Sequence, residues 1–474
     1  MSKTKKIIIA LIVFCLTTVL AACQSNTSSE ITTTSDSDAS TIEKSTENDS
    51  DNDDFLPAFD KTVTIEETTL YDQNNIKITA TELIYNSYSV ELSLRIENLS
   101  DKNYTVHAGT ISCSENAVNG YMLSDGYLNC EVAAENTEED TMSFSYSEMT
   151  ILGINKIAQI QVGFEISDDD SDSFRSGPVL INTSAAASYD IDEDTYLKAV
   201  QNKSVQTAVG YSLDYFSDEK IYSESNVEIL SEALIVNKDS DQSLILEFVN
   251  HNPGSLRIRL YGLGVNGLTV YSSAVESETI SADKKCLLGI NLDNYLKEYK
   301  DAFDIDDLSS VSFSIEMFNS DNMKVAETEN ITVKLSDNAS SFGNDGKEVF
   351  STGNIRLVYI GAKDDSNNSE MVSFSSTHLL FLAENNSSEA IKIQLGESEE
   401  LFQQVTVNDK AYIFMLSAKE VSAGESAVLD LELSSFENES GIISADAIKS
   451  IKLDVAIKDT KSNIISQSTI TIEQ

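Results

Sequence analysis

The chain has 474 residues, with 78 acidic against 32 basic, for a formal net charge of −46. A nucleic-acid partner is disfavoured, because a phosphate backbone needs a basic footprint. Three His and no Trp leave little for His-rich metal centres or Trp-based sugar platforms, while 41% hydrophobic residues suffice to build buried cores in about three domains.

Lys3, Lys5 and Lys6 precede an apolar run from Ile7 to Leu20, broken only by Thr17 and Thr18. That run is too short for a comfortable membrane span of ~20 residues and has the length of a secretory signal core. It ends in Leu20-Ala21-Ala22-Cys23. Small residues fit the narrow cleft of a signal peptidase, and a thiol directly after them can carry a thioether-linked lipid. The order of charge, apolar core and lipobox resembles the bacterial lipoprotein signal. The resemblance implies removal of residues 1–22 and a diacylglyceryl group on Cys23, so the membrane is a partner through a lipid anchor. Two acyl chains anchor stably where one is marginal. The expected location is the extracytoplasmic face of the cell membrane. Three lysines and no acids leave with residues 1–22, so −46 becomes −49.

Residues 23–54 are dominated by Ser, Thr, Asp, Asn and Glu. Nothing there buries enough surface to offset ordering entropy, and the reading is a disordered acidic tether. As a random coil it would reach about 30 Å.

Beyond the tether, three blocks recur three times in one order. The first is Leu70-Tyr71 leading to Asn75-Ile76, then Ile221-Tyr222 leading to Asn226-Val227, then Val349-Phe350 leading to Asn354-Ile355. The second is an alternating strand ending in Asn98, Asn250 or Asn385, with apolar alternation resuming at Tyr104, Leu256 and Ile391. Asn suits a strand exit because its side chain closes an Asx turn and it tolerates positive φ. The third is Val118-Asn119-Gly120, Val265-Asn266-Gly267 and Val407-Asn408-Asp409, which carry turn dipeptides. Related markers follow at Val132–Glu135, Ile280–Asp283 and Val421–Gly424.

Period-2 alternation in seven or eight strands per copy predicts antiparallel sheets with one face buried, packed as two-sheet sandwiches. The expected fold is all-β: three tandem Ig-like antiparallel β-sandwich domains after the signal and tether. The expected boundaries are 55–184 for the first repeat, 185–215 for a linker, 216–340 for the second and 341–474 for the third. The linker holds a short helix around Tyr196 to Val200. Tyr295, Tyr299 and Phe303 lie four apart, a helical stripe read as packing on its own sandwich rather than as a binding ridge. The Cys–Trp–Cys signature of true Ig domains is absent, so only the architecture is claimed.

The search for chemistry returns little. No Gly-x-Ser-x-Gly, His-Glu-x-x-His or Walker-type loop occurs. His107, His251 and His378 sit in non-equivalent contexts and read as surface or rim residues, so no enzyme is expected and no catalytic residue is assigned. Asp190-x-Asp192-x-Asp194 begins like a calcium loop, but Thr195 holds the Gly position and Gln201 the terminal Glu position. These three acids are the Ca2+ candidates, set against the reading of a solvated acidic loop; no other cofactor is expected. Tyr85, Tyr88, Tyr121 and Tyr127 belong to the first repeat alone and are the ligand candidates. Cys113 and Cys130 are either a hairpin disulfide or two buried thiols, and Cys286 is a core thiol.

With the lipobox and the repeated Asn blocks in hand, the chain resembles uncharacterised surface lipoproteins of Gram-positive, Clostridia-like bacteria. The resemblance implies an envelope location and tandem sandwich modules. The leading functional reading is a non-catalytic, lipid-anchored surface protein whose modules serve display or protein–protein contact. The alternative is a glycan- or small-ligand-binding lipoprotein.

Overall fold

The structure is a computed structural model and describes residues 58–109, 115–169, 172–337, 341–343, 345–366, 375–396, 402–415, 419–434 and 443–473. The signal run, Cys23, the tether and Cys113 lie outside the described residues. Strands dominate, and nearly all pairings are antiparallel. Four short α-helices stand among the described residues: α1 (Tyr146–Ile151), α2 (Thr195–Gln201), α3 (Lys203–Val209) and α4 (Asp293–Leu296). None of the described helices is long and apolar enough to cross a membrane.

The chain divides into two compact units. One holds the residues up to Leu256 together with Thr279–Asn291; the other holds Arg257–Glu278 and Leu292–Gln474.

In the first unit, one sheet runs Thr68–Gln73, Ile76–Tyr85, Ser89–Asn98, Thr137–Ser145. A second runs Ser173–Arg175, Glu165–Asp168, Tyr104–Ala108, Leu128–Val132. Alternation decides which side chains go inward. Val90, Leu92, Leu94 and Ile96 from the first sheet share one core with Val106, Leu128, Val132 and Ile166 from the second. This is a two-layer β-sandwich. A third sheet joins Gln159–Val162 and the short Ala117–Val118 and Tyr121–Met122 strands to Lys284–Asn291, Gln242–Asn250, Val227–Asn237 and Tyr211–Ser217. The polar stretch 185–215 carries α2 and α3. Asp194 caps α2 through Leu197 N, Asn202 caps α3 through Ser204 N and Val205 N, and Gly210 ends α3 at φ +92°. Tyr196, Ala199, Val200 and Val205 are buried.

In the second unit, Ile355–Ser366, Ser375–Asn385 and Ser426–Ser434 pair in that order. Their inward Leu357, Leu379, Phe381, Leu429 and Leu431 share a core with Ile391, Ile393, Val407, Ile451, Leu453 and Val455 from the opposing strands.

The asparagine blocks behave as structural locks. Asn98, Asn250 and Asn385 are fully buried at their strand ends. Each side-chain oxygen accepts from the backbone N–H two residues on, at Ser100, Asn252 and Ser387, closing the expected Asx turn. Each amide also donates to three carbonyls: Lys102, Val132 and Ala133; Gly254, Ile280 and Ser281; Glu389, Val421 and Ser422. In each set at least one of these bonds is buried, where a carbonyl without a donor is costly, and this favours an amide at the position. Asn119, Asn266 and Asn408 have φ near +50°, as a two-residue hairpin turn requires. Each donates to a carbonyl 2.7 Å away, at Lys156, Asp307 and Ala447, and accepts from two successive N–H groups, at 158–159, 309–310 and 449–450.

Two parallel ladders tie strands of consecutive repeats. In the first unit Tyr121 pairs with Lys285. In the second unit Leu268 pairs with Ser426 and Thr269 with Ala427. In both, the donor directly follows a Val-Asn-Gly turn, and the acceptor is the first or second residue of the strand after the Ile280–Asp283 or Val421–Gly424 marker. A single construction is therefore used twice.

Candidate functional site

The first ladder is sealed by polar groups. Tyr121 Oη lies 2.9 Å from Asp194 Oδ1 and 3.0 Å from Glu247 Oε1. Lys285 Nζ is 2.6 Å from Asp194 Oδ2 and 3.6 Å from Glu247 Oε1, and Ser231 Oγ donates to Glu247 Oε2 at 2.8 Å. Glu247 is fully buried. Burial and the nearby Asp194 charge push its carboxyl up to about 7, against Lys285 and two hydroxyl donors that favour the anion. Burial also raises Asp194, but the Lys285 hydrogen bond and charge hold it below the ordinary carboxylate range. A phenol has one proton and cannot donate to both acids. With Glu247 protonated the groups are satisfied as a relay, Glu247 donating to Tyr121, Tyr121 to Asp194, and Asp194 facing Lys285; with Glu247 ionised the Tyr121 hydroxyl turns to donate to it instead.

The same unit carries an open cleft of about 480 Å³ over α1, α2 and α3, lined by Phe59, Tyr146, Asn155, Tyr189, Lys198 and Asn202 among others. Phe59 and Tyr146 pack with ring centroids 4.6 Å apart, and Lys61 Nζ lies 4.8 Å from the Tyr146 centroid. Aromatic walls with two amides and a Lys198–Glu193 ion pair suit a small polar ligand with an apolar face. Gly153, at φ +71°, lets the chain pass close to the Thr195 carbonyl at the cleft floor. Sequence reasoning missed this cleft: its aromatic side chains come from distant segments, and no periodicity links them.

In the second unit, Glu298, His378 and Asp430 each offer one ligand atom within 4.8 Å of the other two. Each is already engaged. His378 Nδ1 lies 2.7 Å from Asp430 Oδ1, and its Nε2 lies 3.1 Å from Ser376 Oγ. Tyr299 Oη donates to Asp430 Oδ2 at 3.0 Å, and Lys363 Nζ donates to Glu298 Oε2 at 2.7 Å. Lys419, buried nearby, has its ammonium pushed down to about 8 by desolvation. Burial lowers His378, but the Asp430 hydrogen bond and charge outweigh it and hold the ring toward its protonated form. The ring is thus drawn toward an ion pair with Asp430 on Nδ1 while its Nε2 faces the Ser376 hydroxyl.

The expectation of a surface or rim His378 is corrected: the residue is buried. Leu379 and Phe381 fill the core side of its strand, while the other side meets the segment carrying Glu298 and Tyr299. The aromatic stripe is shared: Tyr295 Oη donates to Val275 O, whereas Tyr299 reaches Asp430 in the third repeat, and Phe303 is buried. His251 is exposed, 3.5 Å from Glu228, and His107 is half-buried.

The ligand-candidate tyrosines do not act as one group. Tyr121 is buried in the relay, Tyr85 donates to Val63 O and packs on Phe59, and Tyr88 and Tyr127 are exposed. Among the calcium candidates, Asp194 is committed to Lys285, Tyr121 and the α2 cap, and Asp190 Oδ1 accepts from Asp192 N. Cys130 and Cys286 are buried.

No protein-family model and no curated protein matches the sequence. Among solved structures, the YadV chaperone aligns at 11% identity over 48% of this chain and 92% of its own, with a TM-score of 0.16. A 1.5-MDa bacterial ice-binding adhesin aligns at 10% identity over 81% of this chain and 90% of its own, with a TM-score of 0.12. The partial N-terminal region of an enterococcal surface protein aligns at 10% identity over 56% and 97%, with a TM-score of 0.14. At those TM-scores the likenesses carry no argument about what the chain does.

Proposed function

We propose that this chain is a non-catalytic, lipid-anchored protein of the bacterial cell surface. Its three tandem sandwich repeats hold binding surfaces away from the membrane, above the acidic tether. Leu20-Ala21-Ala22-Cys23 supports the anchor. The observation that carries the modular reading is the threefold reuse of one asparagine lock, each with the same three-carbonyl set. What recurs is construction, and the polar clusters that do not recur are anchored and satisfied. The test is metabolic labelling with an alkyne fatty acid, combined with protease shaving of intact cells. Cys23→Ala should abolish labelling, and wild-type chain should be cleaved from outside; an unlabelled or protease-protected wild type would sink the proposal. Cross-linking on living cells then identifies the protein partner.

The cleft favours a second reading, binding of a saccharide or small polar ligand. Here Tyr146→Ala should abolish retention on cell-wall polymer while leaving the thermal midpoint within a few degrees. Unchanged retention would remove this reading.

A further inference from the structure

The two parallel ladders define what the strand after each marker can accept. Aligned on the asparagine locks, Lys285 and Ser426 correspond to Thr137, because Asn98 N donates to Asn136 O as Asn385 N does to Glu425 O. Lys285 and Ser426 each receive a strand from the repeat before. Thr137–Ser145 is the edge of its sheet, paired on one side with Ser89–Asn98, and among the described residues no strand lies beyond it. The 123–126 loop closes its far end only, through Gly126 N to Ser143 O. No repeat precedes this one among the described residues.

At the opposite end, Lys410 corresponds to the donors Tyr121 and Leu268, because it directly follows the third turn, Asn408-Asp409. The two ends differ from the internal joints in charge. The acceptor positions Glu138, Glu139 and Asp140 correspond to Cys286, Leu287 and Leu288, and to Ala427, Val428 and Leu429. The donor position is Lys410 where the other repeats have Tyr121 and Leu268. Beside the turn, Lys449 stands where they have Ala158 and Ser309, and Lys452 where they have Gln161 and Ser312. Lys410, Lys449 and Lys452 are all exposed. Three acids thus appear only at the acceptor of the first repeat, and three lysines only at the donor of the third.

We infer that the chain associates head to tail with a second copy of itself, the Asn408-Asp409 hairpin of one copy adding in parallel to the Thr137–Ser145 edge of the next. Charge on an open edge deters neutral strands. Here the acids deter such strands and select a basic hairpin, whose three lysines add to the single counter-charge of Arg95 opposite Glu139. The contact is heterologous, so it propagates into rows or closes into rings rather than stopping at a dimer. Anchoring in one plane would raise the local concentration against the repulsion of a net charge of −49, the −46 of the full chain less the three lysines of residues 1–22.

The internal ladders fix the register: Lys410 faces Thr137, as Tyr121 faces Lys285. Adjacent strands are ~4.8 Å apart, within the reach of a disulfide. Two differently tagged full-length copies are co-expressed, one with Thr137→Cys and the other with Lys410→Cys, and cells are mildly oxidised. A tag-mixed disulfide dimer is expected, several-fold above either cysteine paired with wild type. It should fall to background when Ser462→Cys, an exposed turn position in the same repeat, replaces Lys410→Cys. Adding Glu138→Gln, Glu139→Gln and Asp140→Asn should cut the yield several-fold. Equal cross-linking from Ser462→Cys, or none from Lys410→Cys, overturns the inference. A rise in yield with the neutral edge also overturns it, since the acids would then serve only to blunt the strand. The readout is tag pairing, so it stands whether or not Cys23 carries lipid.

Discussion

The two inter-repeat ladders share a backbone and differ in chemistry. In the second unit Leu268 is fully buried at its ladder and pairs with Ser426. In the first unit Tyr121 occupies the equivalent place and its ring carries a hydroxyl into Asp194, Glu247 and Lys285. A Val-Asn-Gly turn presents its next residue to the neighbouring repeat in either case. What that residue brings decides whether the joint answers to pH and salt or only to packing.

Substitution at each joint separates the two behaviours. Leu268→Ala should cost the most, about 3–4 kcal/mol, because a fully buried leucine leaves a cavity that neighbours only partly fill. Its cost in chemical denaturation should be the same at pH 5 and pH 8. A pH-dependent cost would show that an unrecognised ionisable group senses the second joint.

Lys285→Met should cost about 3 kcal/mol at pH 8, since it strips the counter-charge from Asp194 and from ionised Glu247. At pH 5 Glu247 is neutral and the cost should fall by roughly half. Equal losses at both pH values would mean that Lys285 contributes through its aliphatic stem over the Tyr121 ring rather than through charge.

Much of the frame was legible in sequence because alternation and turn residues are local signals. The strands bounding Asn98, Asn250 and Asn385 followed from period 2, and the Asx turns from the chemistry of the amide. The three-carbonyl sets did not, because two of the three acceptors in each lie 30 to 37 residues away in sequence. The joints were invisible for the same reason: two-residue strands such as Leu268–Thr269 have no periodicity, and their partner is more than 150 residues on. Tyrosine counting found Tyr121 but misread it, since sequence shows which face a residue takes and not what waits there. His378 reads as a surface or rim histidine, and only the fold brings Glu298 and Tyr299 to the Asp430 it pairs with.

Glu247→Gln tests whether the first joint is a proton relay. The folded carboxyl sits near 7 and the ordinary value is 4.5, so the folded state keeps a proton that the unfolded chain releases. The contribution is full below about 4.5 and is lost as pH rises through about 7. Wild type should therefore lose about 2 kcal/mol between pH 5 and pH 8 from this group, and Glu247→Gln should remove that share, leaving the slope of Glu148, whose carboxyl burial pushes up to about 8. Asp194, shifted the other way, loses its contribution only as pH falls through its depressed value and does not blur this window. A slope unchanged by Glu247→Gln assigns the pH dependence elsewhere.

Tyr121→Phe should give the smallest effect and the most specific one. It keeps the ring over Lys285 and removes one hydroxyl from between two acids, for about 1 kcal/mol. Because that hydroxyl favours the Glu247 anion, its loss should move the midpoint of the pH-dependent decline upward. Combined with Glu247→Gln, the two costs should be non-additive, since each breaks the same chain of donors. Strict additivity would mean that Tyr121 serves Asp194 alone, and the first joint would then differ from the second by one ion pair rather than by a relay.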